Sequence, residues 1–274
     1  MRVAAVQMVS GQTLANNLIT AARLIAEAAS GGAQLVVLPE NFALFGQGNL
    51  APLAQLESAG DGQLLPFLAE QASLHRIWLG GGTIPLALGV DGRAAEANKA
   101  FASCCLFGPK GELVGRYDKI HLFDAGVNDA VGAYRESAQF TPGTLPCCVV
   151  TPWARLGLSV CYDLRFPEYF RQLSALGAQV LLVPSAFVYT TGKAHWEVLL
   201  RARAIENQCY VIAANQGGQH SDNRHTWGQS MIINPWGEII AQQAEGEGVV
   251  VADLNFAEQL ALRNKMPVLT HRRF

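Results

Sequence analysis

Apolar residues along the chain fall into short continuous runs separated by longer stretches of helical period. "RVAAVQM" near the amino terminus reads as a strand. "NNLITAARLIAEAAS" behind it carries apolar residues three and four apart, the pattern of an amphipathic helix, and ends at Gly31-Gly32. "LVVLP" is again a strand and "LLPFLAEQASLH" a helix. "WLGGGTIPL", "AFASCCLF" and "LVGRYDKI" read as consecutive strands, with a Pro-Lys-Gly turn before the last. The carboxyl half repeats the alternation. Strands "CCVV" and "LGLSV" precede a helix that opens at Pro167, then come a strand "QVLLVP", a helix "AHWEVLLRARAIENQ", and strands "YVIAAN", "SMIINP", "EIIAQQ" and "VVVADL". Strands that are apolar throughout, rather than alternating, belong to sheets covered by helices.

The pattern contains an echo. "GGAQLVVLPEN" (31–41) resembles "LGAQVLLVPSA" (176–186), and each copy follows a helix and a strand that begins with arginine. Two copies are too few for a solenoid. They fit an α/β chain with two similar halves and two sheets packed face to face. No linker or break in composition divides the halves, so residues 1–274 are expected to form a single domain.

Composition narrows the classes. Hydrophobic residues make up 50% of the 274 positions and charged residues only 15%, against about 25% charged in an ordinary soluble domain. This implies a large core with room for a subunit interface. A net charge of −2 and the lack of any long basic stretch speak against nucleic acid or an anionic membrane as partner. No run approaches the roughly 18 apolar residues of a membrane span, and "MRVAAVQMV" is too short for a signal sequence, so a cytoplasmic location is expected. Of six cysteines, Cys104-Cys105 and Cys147-Cys148 sit in apolar runs and read as buried thiols without disulfides. The histidines show no metal-ligand spacing, so no metal is expected; the side-chain chemistry set out below needs no cofactor either.

Cys161 differs from the other thiols. It ends an apolar strand and is followed by Tyr162, Asp163, Arg165 and the helix start at Pro167. Glu40 likewise follows Pro39 at a strand end, and Lys119 closes "LVGRYDKI". In α/β sheets ligands bind at the carboxyl ends of strands. A carboxylate can take the proton of a thiol, and an ammonium can stabilise the oxyanion formed when sulfur attacks a carbonyl. The backbone N–H of Tyr162 could supply a second donor. The trio therefore suffices for acyl transfer. His121, two residues beyond Lys119 and on the same face of a strand, is the rival base. Arg165 could bind a substrate carboxylate or pair with Glu168 or Asp163. Residues 122–140 and 216–226 lack periodicity and are candidates for lining a site, and Gly80-Gly81-Gly82 permits close approach of backbone.

Three motifs, "LVVLPEN", "GRYDKIHLFD" and "LSVCYDLRFPE", resemble those of the nitrilase superfamily of carbon–nitrogen hydrolases, in order and over nearly the whole chain. The resemblance implies a four-layer α-β-β-α sandwich, a homodimer, and hydrolysis of a small-molecule amide through an acyl thioester. It implies Cys161 as nucleophile, Glu40 as general base, Lys119 as the oxyanion-stabilising cation, and Glu136 of "YRESAQFTPG" as a second glutamate orienting Lys119. The carboxyl half, with "NRHTWGQSMIINPWGEIIA" and "MPVLTHRR", is most similar to the branch that cleaves deaminated glutathione. The ω-amidases, which act on 2-oxoglutaramate, are the alternative. Deaminated glutathione has a carboxylate at each end, so Arg165 and Arg224 are the candidate substrate-binding cations, with Lys193 a third. A non-catalytic binding protein on the same fold and a redox thiol protein are the readings from other classes.

Overall fold

A computed structural model of the chain describes residues 1–46 and 48–273. The first half runs β1 (Arg2–Gln7), α1 (Leu14–Ser30), β2 (Leu35–Val37), α2 (Ala51–Ala59), α3 (Leu64–His75), β3 (Trp78–Gly80), β4 (Ile84–Leu86), β5 (Phe101–Phe107) and β6 (Leu113–Asp118). A small ribbon, β7 (Asp124–Gly126) with β8 (Ala133–Arg135), follows. The second half runs β9 (Cys147–Val150), β10 (Arg155–Leu158), α4 (Pro167–Ala175), β11 (Val180–Leu182), α5 (Tyr189–Asn207) and β12 (Tyr210–Ala213). A second ribbon, β13 (Gln219–Ser221) with β14 (Arg224–His225), precedes β15 (Met231–Ile233), β16 (Ile239–Gln242), β17 (Gly248–Asp253) and α6 (Phe256–Lys265).

One sheet has the order β17-β1-β2-β3-β5-β4, with β6 also on β5; the other has the order β16-β15-β12-β11-β10-β9. The alternation of side chains across each strand builds the layers. Val3, Ala5, Leu35 and Val37 point between the sheets and pack with Leu156, Leu158, Val180 and Leu182. Ala4, Val6 and Val36 point the other way, to Leu24 and Ile25 of α1 and Leu68 of α3. The far face of the second sheet takes Phe170 and Leu173 of α4 and Trp196 and Leu200 of α5. This is the four-layer α-β-β-α sandwich, and both faces of the inner strands are buried, as their uninterrupted apolar runs require.

The echo is structural as well. β1 pairs in parallel with β2, and β10 with β11. Gln34 donates its amide to Arg2 O at 2.8 Å, and Gln179 donates to Arg155 O at 2.8 Å. Each glutamine side chain accepts the amide of the same arginine at 3.2 Å. Gly32 and Gly177, at φ 83 and 88, turn the chain from helix to strand where a side chain would be strained.

Some elements depart from the pattern. "WLGGGTIPL" is two strands, broken where Gly82 adopts φ 57 and lies so close to Pro39 that an added Cβ would sit 2.1 Å from its carbonyl oxygen. α5 begins at Tyr189, so His195 and Glu197 lie within the helix and not at its start. α2 and α6 had no strong helical period, and both pack by only a few buried residues.

Candidate active site

The parallel strands of both sheets end on the same side, and their exits build the site. Beyond β2 the chain passes Leu38 and Pro39 to Glu40, which is buried. Its Oε2 accepts the amide of Ala186 at 2.9 Å, and its Oε1 accepts Lys119 Nζ at 2.7 Å. Ala186 follows β11, so one sheet supplies the carboxylate and the other supplies an amide that orients it. Gln216, beyond β12, donates its side-chain amide to Glu40 O at 3.1 Å. Lys119 comes one residue after β6, with its amide on Ala102 O at 2.9 Å. Glu136 opens a one-turn 3-10 helix behind β8 and meets Lys119 Nζ with both oxygens, at 2.7 and 2.9 Å. Glu136 Oε2 also accepts the Phe123 amide at 2.6 Å.

Cys161 opens the 3-10 turn Cys161–Arg165 at φ 45. A non-glycine residue there costs of order 1–2 kcal/mol and persists only when its surroundings fix it. Asp163 supplies much of that constraint. Fully buried, it accepts the Val160 amide and the Tyr117 hydroxyl, each at 2.8 Å, through Oδ2. Its Oδ1 takes the His121 amide at 3.2 Å and the His121 ring at 2.7 Å. The Cys161 amide donates to Pro184 O at 2.9 Å. This holds the sulfur at the strand end, on the cleft wall that Glu40 and Ala186 also line.

The cluster contains two carboxylates and one ammonium. Burial acts against the charged form of Lys119, but Glu136 and Glu40 outweigh it, so its pKa lies well above that of an ordinary lysine. Burial raises Glu136, with the Glu40 charge adding and Lys119 opposing. Burial, then the Glu40 charge, push the Cys161 thiol well up, against the pull of Lys119. A third negative charge beside one ammonium is unfavourable, so the sulfur rests as a thiol. A thiol, a proton acceptor beside it and a fixed cation can together perform acyl transfer. Among the described residues no group of three or more His, Cys, Asp and Glu is placed to hold a metal.

A cleft of about 640 Å³ opens above the cluster, walled by Phe45, Phe123, Tyr134, His220 and Arg224. Much of this wall comes from the two stretches without periodicity. Arg224 lies over the rings of Tyr134 and Phe45, 4.5 and 5.3 Å from their centroids. Arg165 stands elsewhere, in a shallow recess that shares Cys161, Ala186 and Phe123 with the cleft. It packs over Phe187 and Tyr162 and contacts His195 Nδ1 at 3.2 Å; among the described residues it forms no ion pair with Glu168 or Asp163, and Asp163 pairs with His121 instead. The Tyr162 ring packs on Phe123 and Phe166, and its amide lies in the first turn behind Cys161. Lys193 is exposed on α5 and does not line the cleft. His121 stands past the end of β6, so the argument from strand alternation fails for it; its ring is held on Asp163 and stacked on Phe166.

The sequence names Asp163 only as a possible partner of Arg165, not as the brace of the Cys161 turn, and does not point to the Ala186 amide, Tyr134 or His220. The only signal for the last two was their place in aperiodic segments. Asp163 carried one further signal, a charged residue directly behind an apolar strand.

Fold and cluster together describe an αββα-sandwich hydrolase. The family model for carbon–nitrogen hydrolases matches residues 2–264, and the chain belongs to that family. It is 44% identical over 273 residues to the deaminated glutathione amidase of Synechocystis sp., covering 99% of this chain and 97% of the relative. It is 35% identical to omega-amidase NIT2 of Homo sapiens, covering 99% and 95%. Among solved structures it resembles a glutamate-to-glutamine mutant of the amidase from Nesterenkonia sp. AN1. That structure shows covalent addition of the acetamide moiety of fluoroacetamide at the active-site cysteine; TM-score is 0.80 and identity 27%, covering 100% of this chain and 94% of that one.

Proposed function

We propose that this amidase works through Cys161 and hydrolyses deaminated glutathione to 2-oxoglutarate and cysteinylglycine. The observation that carries the catalytic reading is the bridge of Lys119 between Glu40 and Glu136, with Cys161 beside them on the wall of the same cleft. Sulfur attacks the amide carbonyl as Glu40 takes its proton, so a free thiolate is never held beside two carboxylates. Lys119 and the Tyr162 N–H stabilise the oxyanion, and Glu136 keeps Lys119 in place. Glu40 returns the proton to the leaving amine, which leaves an acyl thioester. Water activated by Glu40 then releases the acid.

The substrate reading is supported by the 44% identical relative and by the cleft. Its 640 Å³ falls in the range of about 300–1,000 Å³ that accommodates ligands of drug size. Arg165 lines the recess on one side of Cys161 and Arg224 lines the cleft on the other, so two cations are available for the two carboxylates, Arg224 for that of the leaving group. The protein works in the cytoplasm as a homodimer. Val198 and Ile205 are exposed seven residues apart on α5, and Ile205 abuts the turn at Gly237 beside the exposed Trp236. This apolar face suits a second copy.

The test compares kcat/KM for deaminated glutathione and 2-oxoglutaramate in the native enzyme and in Arg224→Ala. The native enzyme prefers the tripeptide analogue, and the variant loses roughly 10- to 150-fold on it, the worth of one charge-assisted contact. A native preference for 2-oxoglutaramate would place the chain with the ω-amidases.

A further inference from the structure

We infer that His220 is a positioning residue for leaving-group recognition: it latches the β13–β14 ribbon, and with it Arg224, to the floor of the cleft. This rests on the reading that Arg224 receives the leaving-group carboxylate.

The ribbon needs a latch. It has two cross-strand pairs, Gln219↔His225 and Ser221↔Arg224, with an irregular register between them. A two-stranded ribbon is at best marginally stable by itself. Arginine also loses much rotamer freedom when it is fixed. A cation on a loose ribbon would recognise little.

One imidazole ties three segments together. Nδ1 of His220 is 2.7 Å from Ser10 O, in the loop behind β1. Nε2 is 2.7 Å from Thr226 Oγ1, just past β14. A carbonyl only accepts, so Nδ1 carries the proton and Nε2 accepts from the threonine hydroxyl. The ring stacks on Phe45 with centroids 3.9 Å apart, and Phe45 is one of the two rings that carry the Arg224 guanidinium.

The anchor is connected to the catalytic floor. Ser10 Oγ donates to Phe42 O at 2.8 Å, and the Ser10 amide donates to Gln216 Oε1 at 3.0 Å. Gln216 donates to Glu40 O. An unbroken path thus runs from the backbone of Glu40 through Gln216 and Ser10 to His220, then to Thr226 and the ribbon. Both ring nitrogens are used by the protein, so His220 has no proton to exchange with substrate and acts through Arg224. Burial pushes its pKa down to about 4, with the Arg224 charge acting in the same direction, which keeps the latch in its neutral form.

Kinetics of His220→Leu, His220→Gln and Thr226→Val on deaminated glutathione and 2-oxoglutaramate test this. In His220→Leu, KM for deaminated glutathione rises about tenfold while kcat stays within about threefold, and KM for 2-oxoglutaramate changes by less than about twofold. Glutamine, with an N–H and a carbonyl on one arm, recovers part of the loss. Thr226→Val breaks the same latch without touching the stacked ring and moves KM in the same direction. Equal KM rises for both substrates, a collapse of kcat, or no change would overturn the latch. If the native enzyme does not turn over deaminated glutathione, the substrate reading fails, and the latch is judged by modification of Arg224 with phenylglyoxal followed by peptide mapping. Arg224 reacts several-fold faster in His220→Leu than in the native enzyme if the latch holds it; an unchanged rate would overturn the latch.

Discussion

Glu136→Gln is the perturbation that most sharply separates a catalytic cluster from a structural ion pair. Lys119 Nζ has three close carboxylate contacts, one from Glu40 and two from Glu136. Glutamine keeps the shape and one carbonyl oxygen, but its NH₂ must then face either Lys119 Nζ or the Phe123 amide, and both are donors. One charge-assisted contact becomes neutral and another becomes a clash of donors. Charge-assisted hydrogen bonds contribute about 1.5–3 kcal/mol, so the placement of Lys119 against the oxyanion weakens by about 2–3 kcal/mol. That is roughly a 30- to 150-fold fall in kcat. Stability responds differently. The cluster holds one more carboxylate than ammonium, and burial already raises Glu136. Losing a buried charge that repels Glu40 offsets much of the lost bonding, so Tm falls by no more than about 5 °C. Steady-state kinetics and calorimetry on the same preparations measure both. Activity within about threefold of native would refute the role of Glu136, and a Tm loss beyond about 10 °C with the fall in kcat would mark it as purely structural.

Cys161→Ala lowers turnover by several orders of magnitude, as loss of a nucleophile does elsewhere (about 10⁶ in a serine protease). In the native protein, iodoacetamide adducts seen by intact mass spectrometry form first at Cys161, which lines the cleft with Glu40, ahead of Cys147 and Cys148, which are half-buried and not buried as their apolar run suggested, and spare the fully buried Cys104, Cys105 and Cys209. Glu40→Gln nearly abolishes activity while His121→Asn retains most of it; the opposite ranking would restore His121 as the base. The fourth prediction concerns acid stability. His220 binds its proton at about 4 when folded, against 6.5 for the free side chain, so the unfolded chain holds more protons between these values. Its contribution is complete above about pH 6.5 and is lost as pH falls toward 4, by up to about 3 kcal/mol. Urea midpoints measured across this window should drop with pH, and the drop should be shallower in His220→Gln.

The strands and the two-halves arrangement were legible because burial on both faces demands uninterrupted apolar runs, and because the GAQ turn recurs where each helix returns to its sheet. Short-range signals also marked the carboxyl-end exits at Glu40 and Cys161 as places for chemistry. They failed where long-range packing overrides period. The run "WLGGGTIPL" breaks because Gly82 must admit the Pro39 carbonyl, and α2 and α6 pack by so few residues that their pattern was faint.

Local alternation, with turn and helix-start residues, is enough to say which side chains carry reactive groups and which strand end each occupies. Their relations to one another come from the fold in three dimensions. Lys119 and Glu136 lie 79 and 96 positions beyond Glu40, and nothing local says that one ammonium bridges two carboxylates. Lys119 and His121 show the limit most plainly. They stand two residues apart, yet the strand stops at Asp118; Lys119 reaches Glu40 while His121 is held by the buried Asp163. Partners of that kind are set by where distant strands end together in space, and the period of a single strand carries no information about that.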